Sequence, residues 1–413
     1  MSPDEIIAAL PRGARVLAQG GAGESQLLAE AIARSGRADL HVVGVLFPGV
    51  NTSSYGAEDG VRVTTFFMTP QLRRAGGAVE FLPLSYTDIG AHLRAQRLDA
   101  CIAMLSPPDA DGLCSFGPAV DFLAELWPEI PVRVGHLNAR TPRTFGHAGV
   151  PRAALTHVVE AEAPLPTAPP ERDDEVAQAI AAHAATLIGD GATLQAGIGK
   201  LPGACMRALS AKRDLRVHSG LVGDWALELM EAGALEDAPI VAGLALGGER
   251  LYASIASPRF EFRPASHTHA PLAMSGLRDF ASINGALQVD LFGQAYAEAT
   301  ADGPISGPGG SPEFARGAKL AGGLRVIVLP ATGKNGASRI VAPGAGEGPV
   351  SLSRFDLDVV VTEHGIADLR ALGHAARAAR LIDVAAPEHR AALSAAWRSA
   401  LDGAAVDGAA ARH

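Results

Sequence analysis

Cysteine is scarce: Cys101, Cys114 and Cys205 are the only three in 413 residues. They form no CxxC pair and no Cys/His set of zinc type, so no metal is expected. An odd, sparse number also argues against a disulfide framework and for a reducing, cytoplasmic setting. Basic runs are missing as well. Lys+Arg number 35 against 44 Asp+Glu, for a net charge of −9, and no aromatics interleave with bases, which excludes nucleic-acid binding. No apolar stretch approaches membrane-spanning length, because the Ala-rich segments are broken by charges. The opening MSPDEIIAALPRG carries acids early and no apolar run behind a basic one, unlike a secretory signal.

What is present is bulk. A chain that is 48% hydrophobic and only 19% charged buries extensively, and 413 residues exceed one ordinary core, so two domains are expected. Near-continuous apolar runs at 40–47, 61–67, 79–83, 98–105 and 132–137 read as strands covered on both faces. Helical stretches such as 26–34 and 88–94 lie between them. The alternation predicts an α/β fold with a mainly parallel sheet flanked by helices. EAEAPLPTAPPERDD (160–174) lacks apolar periodicity and reads as a connector, which divides the chain into 1–163, a linker 164–174 and 175–413.

The second part restarts the pattern, with a helix over 175–188 and strands at 239–246, 324–329 and 357–361. GARVLAQGGAG (13–23) and GATLQAGIG (191–199) each pass from strand through a glycine turn into a helix, suggesting two like domains. Residues 259–312 are poor in helix signals, and a segment that long is more often functional than idle. The tail 387–413 reads as a helix followed by fraying Ala/Gly sequence.

Five stretches bear on chemistry. In TLQAGIGKLP the glycines let backbone N–H groups approach a bulky anion, although plain turn chemistry reads the same. ISGPGGSPEFARGAK places Gly307, Gly309 and Gly310 ahead of a helix, where N–H groups could cradle a pyrophosphate or thioester oxygen; a flexible loop is the alternative. Neither stretch has P-loop or dinucleotide-fingerprint spacing. ATGKNGASRIVAP offers Lys334 and Arg339 for phosphate, and VVVTEHGIADLR offers Glu363 and His364 for acid–base work or for a structural cap. SPPDADGLCSFGPAVD (106–121) is a stiff turn at a strand's carboxyl end, and nothing nearby cues an activating base for Cys114.

Together with NARTPRTFG, INGALQVDLFGQAYAE and SRIVAP, these stretches resemble the acetyl-CoA hydrolase/transferase family, including its 4-hydroxybutyrate and succinyl-CoA:acetate CoA-transferases. The resemblance implies two similar open, mainly parallel α/β domains of the class I CoA-transferase kind, with the active site in the cleft between them. It implies CoA contacts at Gly197, Ile198, Gly199, Lys200, Leu201, Gly307, Gly309 and Gly310, with Lys334 a further candidate. Residues 19–23 would face the same cleft, and 259–285 would help line the acyl pocket. The substrates would be an acyl-CoA and a small carboxylate, with no permanently bound cofactor, and a homo-oligomer is expected.

The family works through a glutamate in a His-Thr-Glu stretch, forming an acyl anhydride and then a glutamyl-CoA thioester. Here the stretch is VHSGLVGD, and the glutamate position is Gly220. A glycine there opens a hole into which water would fit. Hydrolysis would then need a base, with His218, Asp224, Glu249 and Glu363 as candidates and Ser219 as an alternative nucleophile. The expectation is therefore CoA transfer between short carboxylates or hydrolysis of a short acyl-CoA such as acetyl-CoA, with no catalytic residue assigned. The alternatives are a member with lost or altered activity and a CoA-binding protein without turnover.

Overall fold

The computed structural model describes residues 1–170 and 172–410; residue 171, inside the expected linker, and residues 411–413, at the end of the tail, lie outside it. Seven strands build the first sheet: β1 (Arg15–Ala18), β2 (His41–Gly44), β3 (Arg62–Thr65), β4 (Val79–Phe81), β5 (Ala100–Leu105), β6 (Val132–Leu137) and β7 (His157–Glu160). They lie in the order β4-β3-β2-β1-β5-β6-β7, and every pair is parallel. β5 is buried at all its positions, as its unbroken apolar sequence requires of a strand with both faces covered.

Eight more strands follow: β8 (Thr193–Ala196), β9 (Arg216–Val222), β10 (Ile240–Ala245), β11 (Phe260–Phe262), β12 (Ala281–Gly285), β13 (Leu324–Val328), β14 (Val359–Thr362) and β15 (Gly365–Asp368). Their order is β11-β10-β9-β8-β12-β13-β14-β15, so the second sheet repeats the first and adds β15 antiparallel at its edge. In both sheets the strand order reverses beside the first strand, between β1 and β5 and between β8 and β12. Open α/β sheets bind ligands at that point, outside the strands' carboxyl ends.

Two differences from the sequence reading have physical causes. The run 40–47 is strand only over His41–Gly44. Residues 45–47 stay buried but leave the ladder, and the Phe47 N–H turns to the Asn51 side chain at 2.8 Å. Within 259–312 lies β12, a central strand, whose apolar run is broken by Ser282 and Asn284. Both are buried and bonded to Gln195 of β8, so polarity there marks a side-chain network and not a loop. The tail forms the helix Arg390–Ala410.

The carboxyl ends of the two sheets face one another. The stiff loop 106–121 crosses between them: Val120 N–H donates to Gly243 O at 3.1 Å and Ala245 N–H to Pro118 O at 2.8 Å. Phe262 N–H reaches Phe145 O at 2.7 Å, and Tyr86 N–H reaches Gly309 O at 3.1 Å. One apolar cluster runs through both sheets, joining Leu105 and Phe116 to Leu194 and Leu244. The connector is pinned as well, its Pro166 carbonyl accepting from the Tyr252 hydroxyl at 2.7 Å. Its Asp174 caps the helix Glu175–Thr186 through Ala177 N–H at 2.9 Å. No helix among the described residues is long and apolar enough to cross a membrane.

Candidate active site

A cavity of about 200 Å³ opens where the carboxyl ends of β8, β9 and β12 meet the first sheet. Gly197 and Ile198 follow β8, Gly220 and Leu221 lie just before the last residue of β9, and Asn284 and Gly285 end β12. Phe47, Phe67 and Tyr86 enclose it from the first half, and Ser306 to Ser311 close it above the helix Ser311–Leu320. Of that helix's first residues Ser311 and Glu313 carry N–H groups without intrahelical acceptors, Pro312 has no N–H, and the Glu313 side chain lies in the same turn.

The floor is a closed polar network. Gln195 accepts from Ser282 Oγ at 2.7 Å and from Asn284 Nδ2 at 3.0 Å. A Cβ on Gly197 would stand 2.6 Å from Asn284 Oδ1, so only glycine lets the chain pass this network.

His269 is the unexpected member. It follows the short helix Ala265–Thr268 and is 6% exposed, with its ring stacked on Tyr86 at 4.0 Å and tilted against Phe314 at 4.7 Å. A Cβ on Gly220 would fall 2.5 Å from its Nε2, and one on Gly310 would fall 2.6 Å from the same atom. The two glycines therefore make the slot that the imidazole fills. The hole expected beside Gly220 holds a histidine ring, and the reason is tertiary: the 263–274 segment folds across the end of β9.

The Thr268 hydroxyl lies 2.9 Å from His269 Nδ1 and 3.4 Å from Pro264 O. The tautomer that makes Nε2 an acceptor carries its proton on Nδ1, towards that hydroxyl. Burial, reinforced by nearby His218, pulls the His269 pKa down to about 3, so the ring is neutral at pH 7. Behind it the Tyr86 hydroxyl donates to Asp121 at 3.1 Å. Burial pushes Asp121 up to about 7 and Tyr86 well above its ordinary value.

The sequence-derived residues divide. Gly197, Ile198, Gly307, Gly309 and Gly310 line the cavity. Gly199, Lys200, Leu201 and Lys334 lie off its wall: Lys200 pairs with Asp174 at 2.6 Å, Leu201 packs against the apolar core, and Lys334 is exposed. Of the candidate bases, His218 is turned to Thr268 O at 3.1 Å, with burial lowering its pKa to about 4. Asp224 accepts from Gly248 N–H at 3.1 Å, Glu249 pairs with Arg140 at 2.8 Å and Glu363 holds Ala331 N–H at 2.8 Å. Ser219 Oγ donates to Ala196 O at 3.3 Å. None of these lines the cavity. Gln19 turns away from it, and burial raises the Cys114 thiol pKa. Sequence reasoning passed over Tyr86 and reached Asn284 and His269 only as members of the stretch 259–285; the one signal singling out His269 was the doubled histidine of SHTHAP. Among the described residues no cluster of His, Cys, Asp and Glu could hold a metal.

The acetyl-CoA hydrolase/transferase C-terminal domain model matches residues 247–397. A 4-hydroxybutyrate coenzyme A transferase of Clostridium kluyveri is 33% identical over 329 residues, 77% of each chain. A succinyl-CoA:cyclohexane-1-carboxylate CoA transferase of Geobacter metallireducens is 32% identical over 96% of this chain and 94% of its own. The crystal structure of RipA from Yersinia pestis superposes with a TM-score of 0.89 at 26% identity, covering 96% of both chains.

Proposed function

This chain belongs to the acetyl-CoA hydrolase/transferase family, and we propose that within it the protein hydrolyses a short acyl-CoA instead of passing CoA to a second carboxylate. It is an enzyme of acyl-CoA metabolism. One observation carries the choice of reaction: no carboxylate lines the cavity among the described residues. In this reading Gly220 takes the position at which the family has its glutamate. Without a carboxylate nucleophile neither the anhydride nor the glutamyl thioester can form, and water remains as the attacking group.

In this reading the thioester is the substrate and no resident cofactor takes part. Gly197 and Ile198 bring backbone to the CoA from β8, while Gly307, Gly309 and Gly310 approach it from above. Gly199, Lys200, Leu201 and Lys334 belong to the outer course of the CoA, where Lys200 would first leave Asp174. The carbonyl oxygen faces the first turn of Ser311–Leu320, whose N–H groups stabilise charge as it develops. The acyl group lies against Phe47, Phe67 and Tyr86, and a cavity of about 200 Å³ suits a short chain. The division into 1–163, the linker 164–174 and 175–413, a soluble homo-oligomer and a cytoplasmic setting complete the proposal.

The test is thiol release from acetyl-, butyryl- and succinyl-CoA, with and without acetate. Release that does not depend on acetate is expected. The named relatives favour a second reading, CoA transfer. New thioester formed only when acceptor is present, without free thiol, would establish that reading and overturn hydrolysis.

A further inference from the structure

We propose that His269 is the catalytic base of this site, its imidazole occupying the room beside Gly220 and activating the water that attacks the thioester. The inference rests on the hydrolytic reading above and names the group that performs it. Three observations carry it. Only Tyr86 and His269 among the cavity's described lining residues can titrate, and the Tyr86 hydroxyl is committed to Asp121. His269 Nε2 has no hydrogen-bond partner among the described residues, although the residue is only 6% exposed. Its Nδ1 is held by Thr268, and its faces are held between Tyr86 and Phe314, so Nε2 has a fixed aim. A base oriented by a third group is the arrangement that general-base catalysis needs.

The step balances without a further reactant. Water on Nε2 gives its proton to the imidazole as its oxygen bonds to the thioester carbonyl carbon. The resulting oxyanion faces the first turn of Ser311–Leu320. Collapse breaks the carbon–sulfur bond, and the imidazolium returns the proton to the leaving sulfur. Acyl-CoA and water become a carboxylic acid and the CoA thiol. Gly220 and Gly310 are then required together, since a side chain at either would displace the ring.

The experiment is thiol release by the full chain with saturating acetyl- or butyryl-CoA. His269→Gln should lower kcat about 100-fold or more with KM little changed. His269→Ala should be equally slow, and free imidazole should restore part of its rate by entering the slot between the two glycines. Thermal unfolding of each variant identifies loss by misfolding, and rescue by imidazole distinguishes a lost base from lost packing. Undiminished kcat in folded His269→Gln, or no rescue of folded His269→Ala, would overturn this assignment and leave hydrolysis standing. Absence of thiol release from the wild-type protein with any thioester would overturn both.

Discussion

After β1 the chain passes through Gln19; after β8, at the corresponding step, it passes through Gly197. The correspondence is set by the ladders: Gln19 N–H donates to Ile102 O at 3.0 Å, and Gly197 N–H donates to Ile283 O at 2.8 Å. Gln19 fills the first crevice. Its Nε2 donates to Ala119 O at 2.6 Å and its Oε1 accepts from Met104 N–H at 2.8 Å, which ties β5 to the crossing loop. Gly197 has no side chain, and its crevice is the cavity. The neighbouring strands repeat the contrast. Arg15 pairs with His41 and Thr193 with Arg216, so four residues on, Val45 corresponds to Gly220. Val45 packs in the core, and its carbonyl approaches Gly20 so closely that a Cβ there would lie 1.9 Å away. Gly220 leaves its place to His269. One strand order thus yields a structural brace in one half and an open cavity in the other, through the side chains at two positions.

The contrast can be broken most sharply by moving the first half's brace into the second. Gly197→Gln puts a side chain where even a Cβ meets Asn284 at 2.6 Å. Thiol release should fall about 100-fold in a folded protein, since small misplacements at a reacting centre cost that much. Unaltered kcat/KM would disprove the cavity as the site. The reverse change, Gln19→Ala, strands the Met104 N–H and the Ala119 carbonyl. It should cost about 3 kcal/mol in urea unfolding, while kcat in the folded fraction stays near wild type.

Gly220→Glu tests the exchange of nucleophile for base. Alone it should lose thiol release without gaining transfer, because its Cβ falls 2.5 Å from His269 Nε2. Combined with His269→Ala it has room, and acceptor-dependent transfer to acetate should appear. Transfer by the single variant would mean that the ring yields easily and does not define the slot.

The smallest expected difference is in titration. Burial depresses His218 and His269 to about 4 and about 3, below their ordinary 6.5. The unfolded chain therefore takes up protons first, and each ring's contribution to stability is lost as pH falls from 6.5. The slope approaches about 1.4 kcal/mol per pH unit per group. Glu24 and Asp121, in the first half, are raised to about 7 by burial, so acid stabilises the fold through them until the unfolded carboxyls also protonate. Unfolding curves from pH 7 to pH 5 should show the wild type losing stability relative to His269→Gln and gaining it relative to Glu24→Gln. Equal signs would refute the contrast.

Much of the scaffold was legible in the sequence. Strand, turn and helix answer to periodicity and punctuation within a few residues, and Gln26–Arg34 and Val132–Leu137 were readable to the residue. The breaks came where burial is polar. Ser282 and Asn284 concealed β12 because their partner, Gln195, lies on another strand. Lys200, expected to contact CoA, is paired instead with Asp174, which lies in the connector and not beside it in sequence.

By itself the sequence determined the parallel α/β scaffold, the two glycine turns and the absence of a carboxylate at Gly220, because each is written in adjacent residues. Only the tertiary structure decided what stands in that place. His269, Gly220 and Gly310 come from three separate segments, and no local rule links them. The slot exists because packing brings the end of β9, the approach to Ser311–Leu320 and the 263–274 segment together, and close packing leaves room there for one ring.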